Sequence, residues 1–187
     1  MAPSVGSEPG LLQLMRADVE AATHPNFRLY SDAVFWRRAL AKLAVSPNVR
    51  AVLTYRVAHV LARRGLLPVA LLLRGRALRR SGAEIHPLAS IGPGLFLVHS
   101  SGIVIGPEAV VGARLRIHQG ATIGGPVHLG AGEWAAATVG DDVTIGAHAV
   151  LLGTIKVGDR AQIGANSVVL DDVPADTTVV GAPARPV

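Results

Sequence analysis

Two histidines interrupt a regular rhythm in IHPLASIGPGLFLVHSSGIVIG, residues 85–106. His99 is the sharper case, with Glu84 fifteen residues ahead of it and small polar residues behind it at Ser100 and Ser101. An imidazole, with an unperturbed pKa of about 6.5, can take a proton from a hydroxyl near neutral pH, and a positioned base of that kind is worth roughly 10²–10⁴-fold in rate. Spacing alone leaves the matter open, because a histidine at the corner of a repeat is equally an ordinary solvent-facing side chain. The chain has no cysteine, which removes thiol nucleophiles, thiolate metal sites and disulfides.

The rhythm that must position His99 has a period of six. Inward aliphatics run Ile85, Ile91 and Leu97, then Ile105 after two extra residues, then Val111, Ile117, Ile123 and Leu129. After four more extra residues they resume at Val139, Ile145, Leu151, Val157, Ile163 and Val169, and Gly follows at positions such as 92, 112, 124, 146 and 164. Tandem hexapeptides predict a parallel β-helix, in which three short strands make one triangular coil. Counted this way, Ile123, Ile145 and Ile163 share a face, and two residues beyond them Gly125, Ala147 and Ala165 form one column of small residues. His99 and Gln119 are placed one rung apart on another edge. The longer insertion, within HLGAGEWAAAT (128–138), is expected to leave the prism between its second and third faces.

Residues 11–82 read differently. SPNVRAVLTYRVAHVLARRG opens on Ser46-Pro47 and closes at Gly65, and Leu53, Val57, Val60 and Leu61 fall on one helical face. LPVALLLRGRALRR is a second helix with Pro68 in its first turn, and residues 25–45 hold a third candidate. The fold class is therefore α+β: a leader over 1–10, helices over 11–82, a β-helix over 83–175 with an arm near 126–138, and a tail over 176–187. Residues 1–80 carry 13 of the 18 Lys and Arg and 4 of the 13 acids. Without a nucleic-acid motif, these arginines, Arg56 and Arg63 included, read as solvated helix faces. No apolar run approaches the ~20 residues of a membrane span, so neither a membrane nor a nucleic-acid partner is expected, and the cytoplasm is the default compartment.

YRVAH (55–59), EIHPLASIGPG (84–94), HSSGIVIG (99–106), HQGATIGG (118–125) and IGANSVVLDDVPADTTVVGAPAR (163–185) resemble the hexapeptide-repeat acyltransferases, and within them serine O-acetyltransferase. The resemblance implies a left-handed β-helix, acetyl-CoA as acyl donor, no metal, and direct transfer to a hydroxyl. It implies that His99 is the general base and that Glu84 stands where an aspartate orients the imidazole. It also implies that Gly125 offers a backbone N–H to the thioester, and that Ala147 and Ala165 line the pantetheine groove. Around the acceptor the likeness breaks: Val98 replaces an aspartate, His24 stands for another, and the arm GEWAAATVG lacks the family's Arg and His. Val98, His24, Gln119 and Trp134 are the expected acceptor-side residues. These departures favour an acceptor other than free L-serine, with a genuine serine O-acetyltransferase as the alternative. A zinc enzyme of the γ-carbonic anhydrase type is disfavoured by the spacing of His99, His118 and His128, and a silent assembly protein by the retained His99. His86, His118, His128 and His148 read as structural or solvent-facing. A homotrimer is expected, with no docking to cysteine synthase.

Overall fold

The computed structural model describes residues 9–23, 32–125 and 137–187. Four helices come first: α1 (Leu11–Ala21), α2 (Asp32–Val45), α3 (Pro47–Arg63) and α4 (Leu67–Ser81). Ser46 caps α3, its side chain accepting from the Val49 N–H, and Pro47 occupies the first turn, where a missing N–H is harmless. Gly82 ends α4 in the left-handed conformation, its N–H donating to the Leu78 carbonyl. The start of α3 at Ser46-Pro47 falls where the sequence places it, and Gly65, expected to close that helix, follows the Arg64 C-cap at φ +81°.

Short strands follow: β1 (Glu84–Ile85), β2 (Ser90–Ile91), β3 (Phe96–Leu97), β4 (Val104–Ile105), β5 (Val110–Val111), β6 (Arg116–Ile117), β7 (Thr122–Gly124) and β8 (Thr138–Val139). The chain continues through β9 (Thr144–Ile145), β10 (Val150–Leu152), β11 (Lys156–Val157), β12 (Gln162–Ile163), β13 (Val168–Val169), β14 (Thr178–Val180) and β15 (Arg185–Pro186). They stack into three faces, ordered β1-β4-β7-β10-β13, β2-β5-β8-β11 and β3-β6-β9-β12-β14-β15, with every rung parallel except the last. The ladder thus runs on beyond residue 175. Each strand through β14 buries its second residue: Leu97, Ile105, Ile117, Ile123, Ile145 and Leu151 are all at most 1% exposed. Burying one such side chain stabilises the fold by about 1.5–3 kcal/mol, which is why aliphatics alone suffice for a core with so few aromatics. Gly146 shows how tightly the coils stack, because a Cβ there would lie 2.6 Å from the Ala165 nitrogen of the next coil.

The register corrects the face count. Val139 pairs with Val111 on the second face, and Ile145 with Ile117 on the third. Sixteen residues separate Ile123 from Val139, which fits one hexapeptide plus ten residues as well as two hexapeptides plus four. Periodicity cannot choose between these, whereas inter-strand hydrogen bonds choose the first. The excursion therefore leaves between the first and second faces, and every strand from β8 onward sits one face earlier than the count through Leu129 implies.

The helices are bolted to the prism by a buried ion pair. Arg56 Nε and Nη2 donate to Asp18 at 2.8 and 3.0 Å, with both side chains at most 2% exposed. Arg56 also donates to the Ile91 and Gly92 carbonyls, while Asp18 accepts from the Gly94 and Leu95 N–H groups. Tyr55 OH donates to the Ala89 carbonyl, and the Nδ1 of His59 lies 2.8 Å from the Pro87 carbonyl. Burial pushes the Tyr55 phenol up to about 12, against a smaller downward pull from Arg56. YRVAH is thus the docking face of α3, and Arg56 is not a solvated arginine: a charge on the helix face toward the sheet is affordable here because every donor it offers inward meets an oxygen.

Candidate active site

His99 stands in the turn that leads from the third face to the first. Two extra residues between Leu97 and Ile105 widen this turn, and both flanks of the histidine are tied to helices. Asn48 of α3 donates to the Val98 carbonyl at 2.8 Å, and Ser100, buried, donates to the Ser81 carbonyl at the end of α4 at 2.7 Å. The Gly102 N–H donates to the Gly82 carbonyl. His99 itself is exposed and makes no hydrogen bond among the described residues. The result is a fixed backbone carrying an imidazole that no described residue engages. Asn48, Ser81 and Ser100 carried no periodic signal, so nothing in the sequence singled them out.

The register gathers the expected residues differently from the column count. Gln119, Ala147 and Ala165 each lie two residues beyond a third-face aliphatic, as His99 does. The His148 N–H donates to the Gln119 carbonyl and the Asn166 N–H to the Ala147 carbonyl, stacking these turns. His99, Gln119, Ala147 and Ala165 therefore share one edge. Gly125 does not: it follows Ile123 of the first face and lies on the edge between the first and second faces. The single column of Gly125, Ala147 and Ala165 is thus split, for the same reason that the face count slipped. On the His99 edge, Gln119 Oε1 is buried without a hydrogen-bond partner. Gly120, at φ +70°, lets His148 fold over the turn, since a Cβ there would collide with the His148 ring. His24, His128 and Trp134 lie outside the described residues.

Glu84 is not aimed at His99. Its carboxylate lies 3.3 Å from Arg74 Nη1, on α4, and no His99 nitrogen comes within 4.0 Å of it. His86, on the same strand end, accepts from the Leu88 N–H at Nδ1. Burial, with Arg74 nearby, pulls its pKa below the usual imidazole value, and the Glu108 and Glu84 carboxylates oppose that pull. Among the described residues no group of three or more His, Asp and Glu side chains could hold a metal ion, and no helix is long and apolar enough to cross a membrane.

Residues 136–171 match Bacterial transferase hexapeptide (six repeats), so the class is that of the hexapeptide-repeat transferases. Over 145 residues the chain is 42% identical to the serine acetyltransferase of Helicobacter pylori (strain J99), covering 78% of this chain and 84% of that protein. It is 41% identical over 149 residues to the serine acetyltransferase of Synechococcus elongatus, covering 80% of this chain and 60% of the relative. A solved soybean serine acetyltransferase complexed with serine superposes with a TM-score of 0.81 at 38% identity, covering 96% of this chain and 70% of the other. A serine acetyltransferase in complex with CoA gives 0.79 at 34% identity, covering 95% and 69%. The chain belongs to the serine acetyltransferase family. It spans 60% of the cyanobacterial relative's length.

Proposed function

We propose that the chain is an acetyl-CoA-dependent O-acetyltransferase with L-serine as acceptor. The observation that carries the reading is the His99 turn: an exposed imidazole without a partner among the described residues, its backbone pinned by Asn48 and Ser100, on the edge shared with Ala147 and Ala165. In this reading His99 accepts the proton of the serine hydroxyl as its oxygen attacks the thioester carbonyl. The tetrahedral intermediate collapses, the C–S bond breaks, and the imidazolium returns the proton to the departing CoA sulfur. Gln119 stands one turn away on the same edge, its Oε1 buried without a hydrogen-bond partner among the described residues. Gly125 is the backbone donor of this reading. Because it lies on a different edge from His99, the two meet at one thioester only across a subunit boundary, which a side-by-side homotrimer supplies. Glu84 serves as orienting carboxylate only after exchanging Arg74 for His99. The coils are read as left-handed, the hand the hexapeptide resemblance implies.

Replacement of His99 by Ala tests the reading. Thiol release from acetyl-CoA in the presence of L-serine is expected to fall roughly 10²–10⁴-fold while the oligomer and CoA binding persist. An unchanged rate removes His99 as the base. A second reading, a hydroxyl acceptor other than free L-serine, draws on Val98, an apolar side chain beside the base, and on the arm sequence GEWAAATVG, which lacks Arg and His. A panel of alcohols under the same assay separates the two: turnover with homoserine or another hydroxylated metabolite and none with serine favours the second.

A further inference from the structure

The outer surface of the third face holds a cation that no carboxylate among the described residues neutralises. Arg114, Arg160 and Arg185 each meet an aspartate, at 2.6, 2.6 and 2.9 Å. Arg116, exposed on β6, has no carboxylate partner among the described residues, whereas Arg114 beside it also reaches Asp141 at 3.4 Å. Its guanidinium instead lies 5.1 Å from the centre of the Phe96 ring, on the neighbouring rung. Such a contact orients the planar group without consuming its N–H donors, which stay free for a bidentate anion. Both residues line a cleft of about 600 Å³ between the outer third face and the end of α1, with Thr144 one rung beyond and Thr23 opposite. The acids that border it are already occupied: Glu20 by Arg16 at 3.0 Å, and Asp142 by Arg114, which holds its carboxyl below the usual range. Arg116 is thus the cation of this cleft that no described carboxylate pairs. Phe96, on β3, and Val98, just past its end, flank the inward Leu97, and His99 follows, about 10 Å from Phe96 along the chain at strand rise.

We propose that Arg116, steadied by Phe96, binds the carboxylate of the hydroxylated acceptor that His99 deprotonates; this rests on the acetyltransferase reading above and assigns the acceptor to the hydroxy acids. The cleft is an acid-binding subsite, and its distance from His99 sets how far the carboxylate stands from the hydroxyl.

The test compares wild type, Arg116→Ala and Arg116→Lys with acetyl-CoA and paired acceptors: L-serine with L-serinamide, and a longer hydroxy acid with its amide. Loss of a charge-assisted contact should raise KM for the acid roughly 10- to 100-fold in Arg116→Ala. KM for the amide and for acetyl-CoA should stay within about twofold, and Lys, keeping the charge but not the fork, should fall between. Equal effects on acid and amide, or no effect on either, overturn the proposal. A rise in acetyl-CoA KM alone also overturns it, because the cation then serves the phosphates of CoA. Calorimetric binding of the same acids and amides is the second arm. If wild type transfers no acetyl group, the function reading fails by itself, while an acid-over-amide binding preference that Arg116→Ala abolishes still supports the subsite. The absence of any such preference in wild type overturns it.

Discussion

Removing the carboxylate of Asp18 is the most searching perturbation of this fold, because one side chain holds three parts of the chain together. In Asp18→Ala, Arg56 keeps its charge at 1% exposure but loses both ionic hydrogen bonds. The Gly94 and Leu95 N–H groups, bonded to the same carboxylate at 3.0 and 2.9 Å, lose their acceptor as well. Breaking a buried pair from one side costs about 3–5 kcal/mol, and an orphaned buried N–H adds roughly 1–3 kcal/mol where water cannot reach it. A loss of about 4 kcal/mol or more is expected, a large share of the 5–15 kcal/mol typical of a domain. The assay is guanidinium unfolding at fixed protein concentration, followed by far-UV circular dichroism and by Trp36 fluorescence. Trp36 is a suitable reporter because it packs on the cluster containing Val19, the neighbour of Asp18. The companion is Asp18→Ala combined with Arg56→Met, which removes both charges and should recover part of the loss. A cost below about 1.5 kcal/mol for Asp18→Ala, or a double variant no better than the single one, would refute the view that an uncompensated buried charge sets the penalty.

Two further outcomes follow from the coil packing and from Tyr55. Gly146→Ala places a methyl carbon within 2.8 Å of three backbone atoms of the next coil, none of which can rotate away; it should cost about 1–3 kcal/mol, read as a lower denaturant midpoint, whereas an unchanged midpoint would mean that the coils slide apart freely. The Tyr55 phenol, pushed by burial from its ordinary 10.0 to about 12, should titrate last in an ultraviolet absorbance titration compared with Tyr55→Phe. Its folded pKa lies above its unfolded one, so the stability linked to it is complete below about pH 10 and is lost as pH rises toward 12. A phenol that ionises near 10 in the folded protein would contradict its burial.

Much of the site could be read before any coordinates, and the reason is local. The hexapeptide period is set by two-residue strands that alternate inward and outward, so each aliphatic from Ile85 to Ile123 announces its own burial. Ser46-Pro47 and Gly65 mark helix ends because capping chemistry acts within a few residues of chain. His99 and Gln119 fall on one edge because no ambiguous insertion separates them. Ala147 and Ala165 were mislaid by one face, because the sixteen residues from Ile123 to Val139 admit two divisions and only strand pairing distinguishes them. Arg56 was misread for a related reason: an arginine beside an apolar helix face looks solvated until the sheet carbonyls it meets are known.

The sequence by itself determined the period, the helix ends and the residue types able to act as a base, since these depend on neighbours close along the chain. The tertiary structure alone decided which edge each corner joins, that Glu84 is held by Arg74, that Asp18 and Arg56 neutralise each other, and that Arg116 is left without a carboxylate among the described residues. Those are contacts between residues distant in sequence. Their energies depend on separation in space and on exclusion of water, and neither is written in the order of the residues.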